Sequence, residues 1–227
     1  MASTTVFPMS AEESLFEDGF FYARDAALGE DISEMQRRGF PYYSNYGLDF
    51  CQQYVLNERI RTIVETFFGD QTCTLAHWLR YRAYPGHIVC FRSGGPKAGR
   101  RRLLVHLLAK GTRVGYWSYS HKHALPTLEG KRLLHELAER DLVQAGCTCN
   151  VEDFPDGGIA ILDGRVAFEI VSGYAITFEF ATVDVLDKWT KMILPKTPGL
   201  AERVAGMQSS KIRINFEFED PVQGSTT

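Results

Sequence analysis

The spacing of apolar residues changes several times along the chain, and each change predicts an element. In "VLNERIRTIVETFFG", Val55, Ile60, Ile63, Val64 and Phe67 recur at helical spacing, and Gly69 stands where a left-handed cap would stop the helix. "RRLLVHLLAKGTRVGYWSYS" then gives two β-rich runs on either side of Lys110-Gly111. A 3.6 period returns in "TLEGKRLLHELAERDLVQAG", with Leu133, Leu134, Leu137 and Leu142 on one side and Thr127 as the expected cap. Next, "GIAIL" and "RVAFEIV" flank Asp163-Gly164, a strong hairpin dipeptide, and "YAITFEF" follows Ser172-Gly173. This order predicts an antiparallel meander that folds into a barrel or sandwich.

Two helices are expected after it. "DVLDKWTKMIL" would be capped by Asp184 and stopped by Pro195, and "TPGLAERVAGM" has Thr197 as cap and Pro198 in its first turn. In "KIRINFEFED", Ile212, Ile214, Phe216 and Phe218 alternate with polar residues, which predicts a half-buried strand able to act as a contact edge. Residues 1–50, broken by Gly19, Gly29, Gly39 and Gly47, read mostly as loop, with a segment around "SLFEDGFFYAR" docking on the core. The expected organisation is one domain over 1–227: a loop-rich segment to 50, a helix and barrel core over 51–183, and two helices with a final strand over 184–227.

Composition narrows the function classes. The 227 residues are 44% hydrophobic and 23% charged, as in an ordinary folded domain, and the net charge of −3 gives no electrostatic reason for a nucleic acid or anionic membrane partner. No apolar run approaches the roughly 20 residues of a membrane span. Five cysteines without a secretory signal point to a reducing, cytoplasmic setting.

Two stretches carry a family resemblance. "LLVHLLAKGTRVGYWSYSHKH" and "GGIAILDGRVAFEI", within residues 75 to 195, resemble the fungal phytanoyl-CoA dioxygenase-like group of the Fe(II)/2-oxoglutarate oxygenases, with "YSH" in place of that group's "GSH". The resemblance implies a mainly β fold with flanking helices, a double-stranded β-helix or cupin-like jelly roll. Active members hold iron with a His-x-Asp or His-x-Glu pair and a distal His, and hold 2-oxoglutarate with an arginine on the following strand. This chain departs at each point. None of its six histidines precedes a carboxylate by two residues, alignment of "DGRVAFE" puts Phe168 in the place of the distal histidine, and no Lys or Arg stands between Arg165 and Lys188. The implied reading is a subunit with no metal, cofactor or catalytic residue of its own. Its partner would be an active paralogue that oxidises a natural-product intermediate in a fungal secondary-metabolite pathway, such as a meroterpenoid one; a homodimer is the other assembly. Iron and 2-oxoglutarate would then belong to the partner, and Ile212, Ile214, Phe216 and Phe218 are the expected contact.

Two alternatives stay open. A metal-free isomerase or cyclase would use His121, His123 or Glu169 as acid and base inside the cavity. A divergent oxygenase would assemble ligands from His87, His106 or His121. Other motifs read as structure: "HELAE" lacks the second histidine of a zinc-protease helix, "CTC" is too close for chelation, and "FRSGGPKAGRRR" misses phosphate-loop spacing and reads as a solvated loop.

Overall fold

In the computed structural model, which describes residues 11–131, 134–186 and 189–220, two six-stranded sheets face each other. The first sheet contains, in spatial order, β1 (Phe20–Arg24), β9 (Gly158–Asp163), β4 (Arg102–Leu108), β11 (Tyr174–Thr182), β2 (Cys73–Arg82) and β13 (Ile212–Ile214). The second contains β6 (Leu128–Glu129), β7 (His135–Leu137), β3 (Ile88–Cys90), β10 (Phe168–Ser172), β5 (Thr112–Ser118) and β8 (Thr148–Phe154). Consecutive strands cross between sheets: β2 to β3, β4 to β5, β8 to β9, β9 to β10 and β10 to β11. That alternation is the winding of a double-stranded β-helix, and the two sheets do not close into a barrel.

The predicted strands are present, and their predicted pairing is not. Asp163-Gly164 does not turn a hairpin. The Gly164 amide donates to the Arg102 carbonyl at 2.8 Å, and the Gly164 carbonyl accepts from the Phe91 and Arg92 amides at 2.9 and 2.8 Å. Its φ is not positive, as a two-residue type I′ loop would need. Glycine serves close approach instead, since a Cβ there would lie 2.6 Å from the Arg102 Cβ. Asp163 clamps the crossing by accepting from the Arg165 amide at 2.9 Å and from its guanidinium Nε at 2.8 Å.

One layer of apolar side chains, including Trp78, Val105, Ile161 and Phe178, joins the outer face of the first sheet to the flanking helices. These are α1 (Ala11–Glu17), α2 (Ala26–Arg37), α3 (Asn45–Tyr54), α4 (Glu58–Phe68) and α7 (Pro198–Met207). The helix predicted at α4 is there, capped by Asn57, whose side chain accepts from the Ile60 amide at 3.1 Å, and ended by Gly69 at φ 62°. Over residues 11–50 the N-terminal segment is mostly helical and not loop. Asp25 and Ser44 cap α2 and α3 through their side chains, a local signal that outweighs the scattered glycines.

Three further expectations are corrected. The long helix expected over 127–146 is two strands, β6 and β7, followed by the short α5 (Glu139–Gln144). Pairing of Leu137, Glu136 and His135 with Ile88, Val89 and Cys90 extends the second sheet, so sheet contacts override helical periodicity. Leu133 lies outside the described residues. The helix expected from Asp184 shrinks to α6 (Val183–Leu186), and β12 (Met192–Pro195) follows it. The last strand is broken in two. β13 runs parallel to β2, while β14 (Phe216–Glu219) pairs in parallel with β12. No described helix is long and apolar enough to cross a membrane.

Candidate functional site

Alternation along β10 turns Phe168 and Ile170 toward the first sheet and Glu169 away from it. Phe168 is 2% exposed and lies across from Val89 and Tyr116. Its ring stacks on Phe91 with centroids 6.1 Å apart, and the His106 ring meets it edge-on at 5.0 Å. Phe20 stacks on Tyr116 at 4.9 Å, which completes an aromatic plug between the sheets. Burial drives the His106 pKa down to about 3, so the ring is neutral, and neither of its nitrogens has a hydrogen-bond partner among the described residues.

One row further along, the inner face becomes charged. Where the family resemblance expects an arginine, β11 presents Thr177 and Glu179, both fully buried. The cation comes from β4: Arg102 Nε is 3.2 Å from one Glu179 oxygen, and Arg102 Nη1 donates to the Phe91 carbonyl at 2.7 Å. His77 on β2 brings Nδ1 to 3.7 Å from the other Glu179 oxygen. Trp189 covers the group, stacked on His77 at 4.7 Å, with the Arg102 guanidinium 5.1 Å from its centroid. Arg102 and Glu179 are close enough to attract but are not aligned for a hydrogen bond, and both carboxylate oxygens lack a donor among the described residues. Burial raises the Glu179 pKa to about 7, with Arg102 pulling the other way. Burial, and then Arg102, lower that of His77 to about 4. The chemistry open to this cluster is proton exchange near neutral pH next to a fixed cation.

The acid and base candidates read from sequence do not converge. His121 lies on a short 3-10 turn, Ser120–Lys122, with Nε2 3.2 Å from the Phe16 carbonyl, so it docks α1. Gly19 makes room for that ring: its φ is 91°, and a Cβ there would lie 2.4 Å from His121 Nδ1. His123 is half-buried in the loop after that turn. Glu169 accepts from the Gly86 amide at 2.6 Å, on the far side of β10 from the plug. The alternative ligand set is scattered too. His87 pairs with Glu136 at 3.3 Å, His106 is in the plug, and His121 is against α1. Of the proposed contact residues, Ile212 and Ile214 are buried in the core with the helices, and Phe216 and Phe218 are half-buried against it. The core uses the first two and leaves no contact face on them.

Sequence reading missed Glu179, His77 and Arg102. The signal was parity: Ala175, Thr177 and Glu179 alternate with Ile176, Phe178 and Phe180, so a carboxylate on the inner face could have been counted out.

The winding of the two sheets and the helices on one of them define a jelly roll of the double-stranded β-helix type. No protein family and no curated protein matches the sequence. Solved structures match the fold. HygX from Streptomyces hygroscopicus is 15% identical over 86% of this chain and 94% of its own, with a TM-score of 0.53, and has also been solved with iron and with nickel and 2-oxoglutarate bound. The epimerase SnoN, in complex with Fe3+, alpha ketoglutarate and nogalamycin RO, is 12% identical over 95% of each chain, with a TM-score of 0.54.

The residues present here do not fit an iron site. A phenyl ring stacked on another fills the position expected for an imidazole, and its polar neighbour His106 is walled in by rings. Among the described residues no three His, Cys, Asp or Glu side chains group as metal ligands. A divalent ion here would lose its hydration without compensating anions. Nor does the next strand fit a keto-acid clamp, because Glu179 would repel a carboxylate where an arginine would bind it.

Proposed function

We propose that this chain is a non-catalytic, dioxygenase-like subunit: a jelly roll related to the Fe(II)/2-oxoglutarate oxygenases that binds an active oxygenase and stabilises it or shapes its substrate mouth. The observation that carries this reading is Phe168, seated between Phe91 and His106 in the place of a metal ligand. HygX and SnoN support it from the other direction, since the fold houses iron or 2-oxoglutarate in those proteins. Here the same scaffold is kept and its interior is packed, a state that suits a protein acting through binding. The partner implied is an intact paralogue acting on a natural-product intermediate.

Anaerobic loading with Fe(II) and 2-oxoglutarate, followed by elemental analysis, tests the first half of the proposal. The expected result is no stoichiometric iron on the isolated chain; one iron per chain refutes the proposal. Co-expression with intact oxygenase paralogues and size-exclusion chromatography test the second half. A complex with raised oxygenase activity is expected, and a chain that stays alone in every pairing counts against it.

A second reading has its own observation. Glu179, with a pKa of about 7 beside Arg102 and His77, has the acid strength of a general acid or base, which suits a metal-free isomerase or cyclase. Under that reading the isolated chain turns over a substrate, and Glu179→Gln abolishes turnover while leaving the fold intact.

A further inference from the structure

On the side of the plug away from Glu179, the gap between the sheets opens as a cleft of about 440 Å³. None of His77, Arg102 and Glu179 lines it. Its volume falls in the range of small-molecule sites, roughly 300–1,000 Å³. The apolar part of the wall is Tyr81, Val89, Leu134, Phe168 and Ile170, drawn from both sheets. Phe168 therefore has two roles, since the ring that fills the metal position also lines this cleft.

The rim differs from the floor. Tyr84, 43% exposed, lies flat on His87 with ring centroids 3.5 Å apart, and Lys131 Nζ is 5.8 Å from the Tyr84 ring. Arg80 and Arg82 also border the cleft. Arg80 turns its guanidinium to the helix side of β2, over Phe40 at 4.3 Å. Arg82 is exposed. The one carboxylate among the described residues of the lining, Glu136, is 3.3 Å from His87 Nδ1. Glu169 stands behind the wall, bonded to the Gly86 amide. Among the described residues, Arg82 and Lys131 thus stand with one carboxylate around an apolar floor, with a flat aromatic surface at the entrance. An apolar body satisfies the floor, and an anionic group satisfies the rim.

We propose that this cleft is a binding site for a planar aromatic carboxylate, with the ring system on Phe168 and Ile170 and the carboxylate toward Arg82 and Lys131. The site goes beyond the subunit reading and does not depend on it, because it needs neither a partner nor an occupied mouth.

Titration calorimetry of the full chain with 2-naphthoate, 2-naphthalenemethanol and inorganic phosphate tests it. One naphthoate per chain is expected, with the alcohol about tenfold weaker and phosphate silent. Arg82→Ala, at an exposed position, should weaken naphthoate about tenfold. Ala83→Trp, which narrows the cleft from its rim, should abolish binding, with thermal melting confirming that both variants are folded. Absence of saturable naphthoate binding overturns the site. Equal affinity for acid and alcohol overturns the anionic requirement, and unchanged affinity in the two variants places the ligand elsewhere. Failure of these arms leaves the iron-loading result untouched, so the two proposals fail separately.

Discussion

Glu179→Gln isolates the cost of a buried carboxylate that no hydrogen bond satisfies. Burial lifts its pKa from 4.5 to about 7 in the folded chain. Each pH unit of displacement is worth about 1.4 kcal/mol, so holding the ionised form inside costs on the order of 3 kcal/mol. The sign follows from which state holds the proton. Below pH 4.5 both folded and unfolded chains hold it, and the carboxyl behaves like a neutral amide of the same shape. As pH rises from 4.5 to 7, the unfolded chain releases its proton first and the folded state loses stability. Above pH 7 the penalty is complete. Gln carries no such penalty, so the variant should gain about 2 to 3 kcal/mol relative to the native chain between about pH 5 and about pH 8. Any constant effect of leaving Arg102 without its carboxylate cancels in that difference.

Urea unfolding of both proteins across this range is the assay. His77 and His106 work in the opposite direction. Their folded pKa values of about 4 and about 3 lie below the ordinary 6.5, so they lose stability as pH falls below 6.5. In the native chain Glu179 offsets about half of the loss from the two histidines between pH 7 and pH 5, so the decline there should be partial. Without Glu179 the acid decline should steepen. A stability difference between native and Gln proteins that does not change with pH would refute the reasoning and mean that water already satisfies the carboxylate.

The remaining predictions concern the plug and its surroundings. Phe168→Ala should cost about 3 to 5 kcal/mol, read from chemical denaturation, because the ring is 2% exposed and packed between Phe91 and His106. Phe168→His should leave the chain unable to hold Fe(II) in equilibrium dialysis, since the sequence has no His-x-carboxylate pair to join it and His106 beside it is shut in by rings. Gly19→Ala should lower stability by about 2 kcal/mol or more in thermal melts, since φ is 91° and the new methyl would press on His121 and Val166. In NMR titrations the His106 ring should remain neutral at pH 5, where a solvated histidine is charged; a midpoint near 6.5 would show that water reaches the plug.

Much of the fold was legible because burial on both sides leaves long apolar runs. The strands at β4, β5, β9, β10 and β11 and the helix at α4 could all be read from spacing and caps. Pairing was harder. Asp163-Gly164 is read locally as a hairpin, yet its bonds run to Arg102, Phe91 and Arg92, residues distant in sequence. The stretch 128–137 has helical spacing, and what makes it strand is the edge of β3, which no local pattern encodes. At the site, the inward face of Phe168 could be read from the alternation of Val166, Phe168 and Ile170. The Glu179, Arg102 and His77 cluster spans three strands, so its assembly depends on register, and inner-face parity on each strand was the only trace available.

A chain of contacts links Phe168 to Glu179. Phe168 stacks on Phe91, the Phe91 carbonyl holds the Arg102 guanidinium, and Arg102 supplies the charge that faces Glu179. An arginine restored on β11 alone would meet Arg102 with no carboxylate between them. An imidazole at 168 would break the stack on Phe91, whose amide stays held by the Gly164 carbonyl at 2.9 Å. The cation therefore stands on β4 and the carboxylate on β11, and the Phe91 carbonyl ties the cation to the aromatic plug.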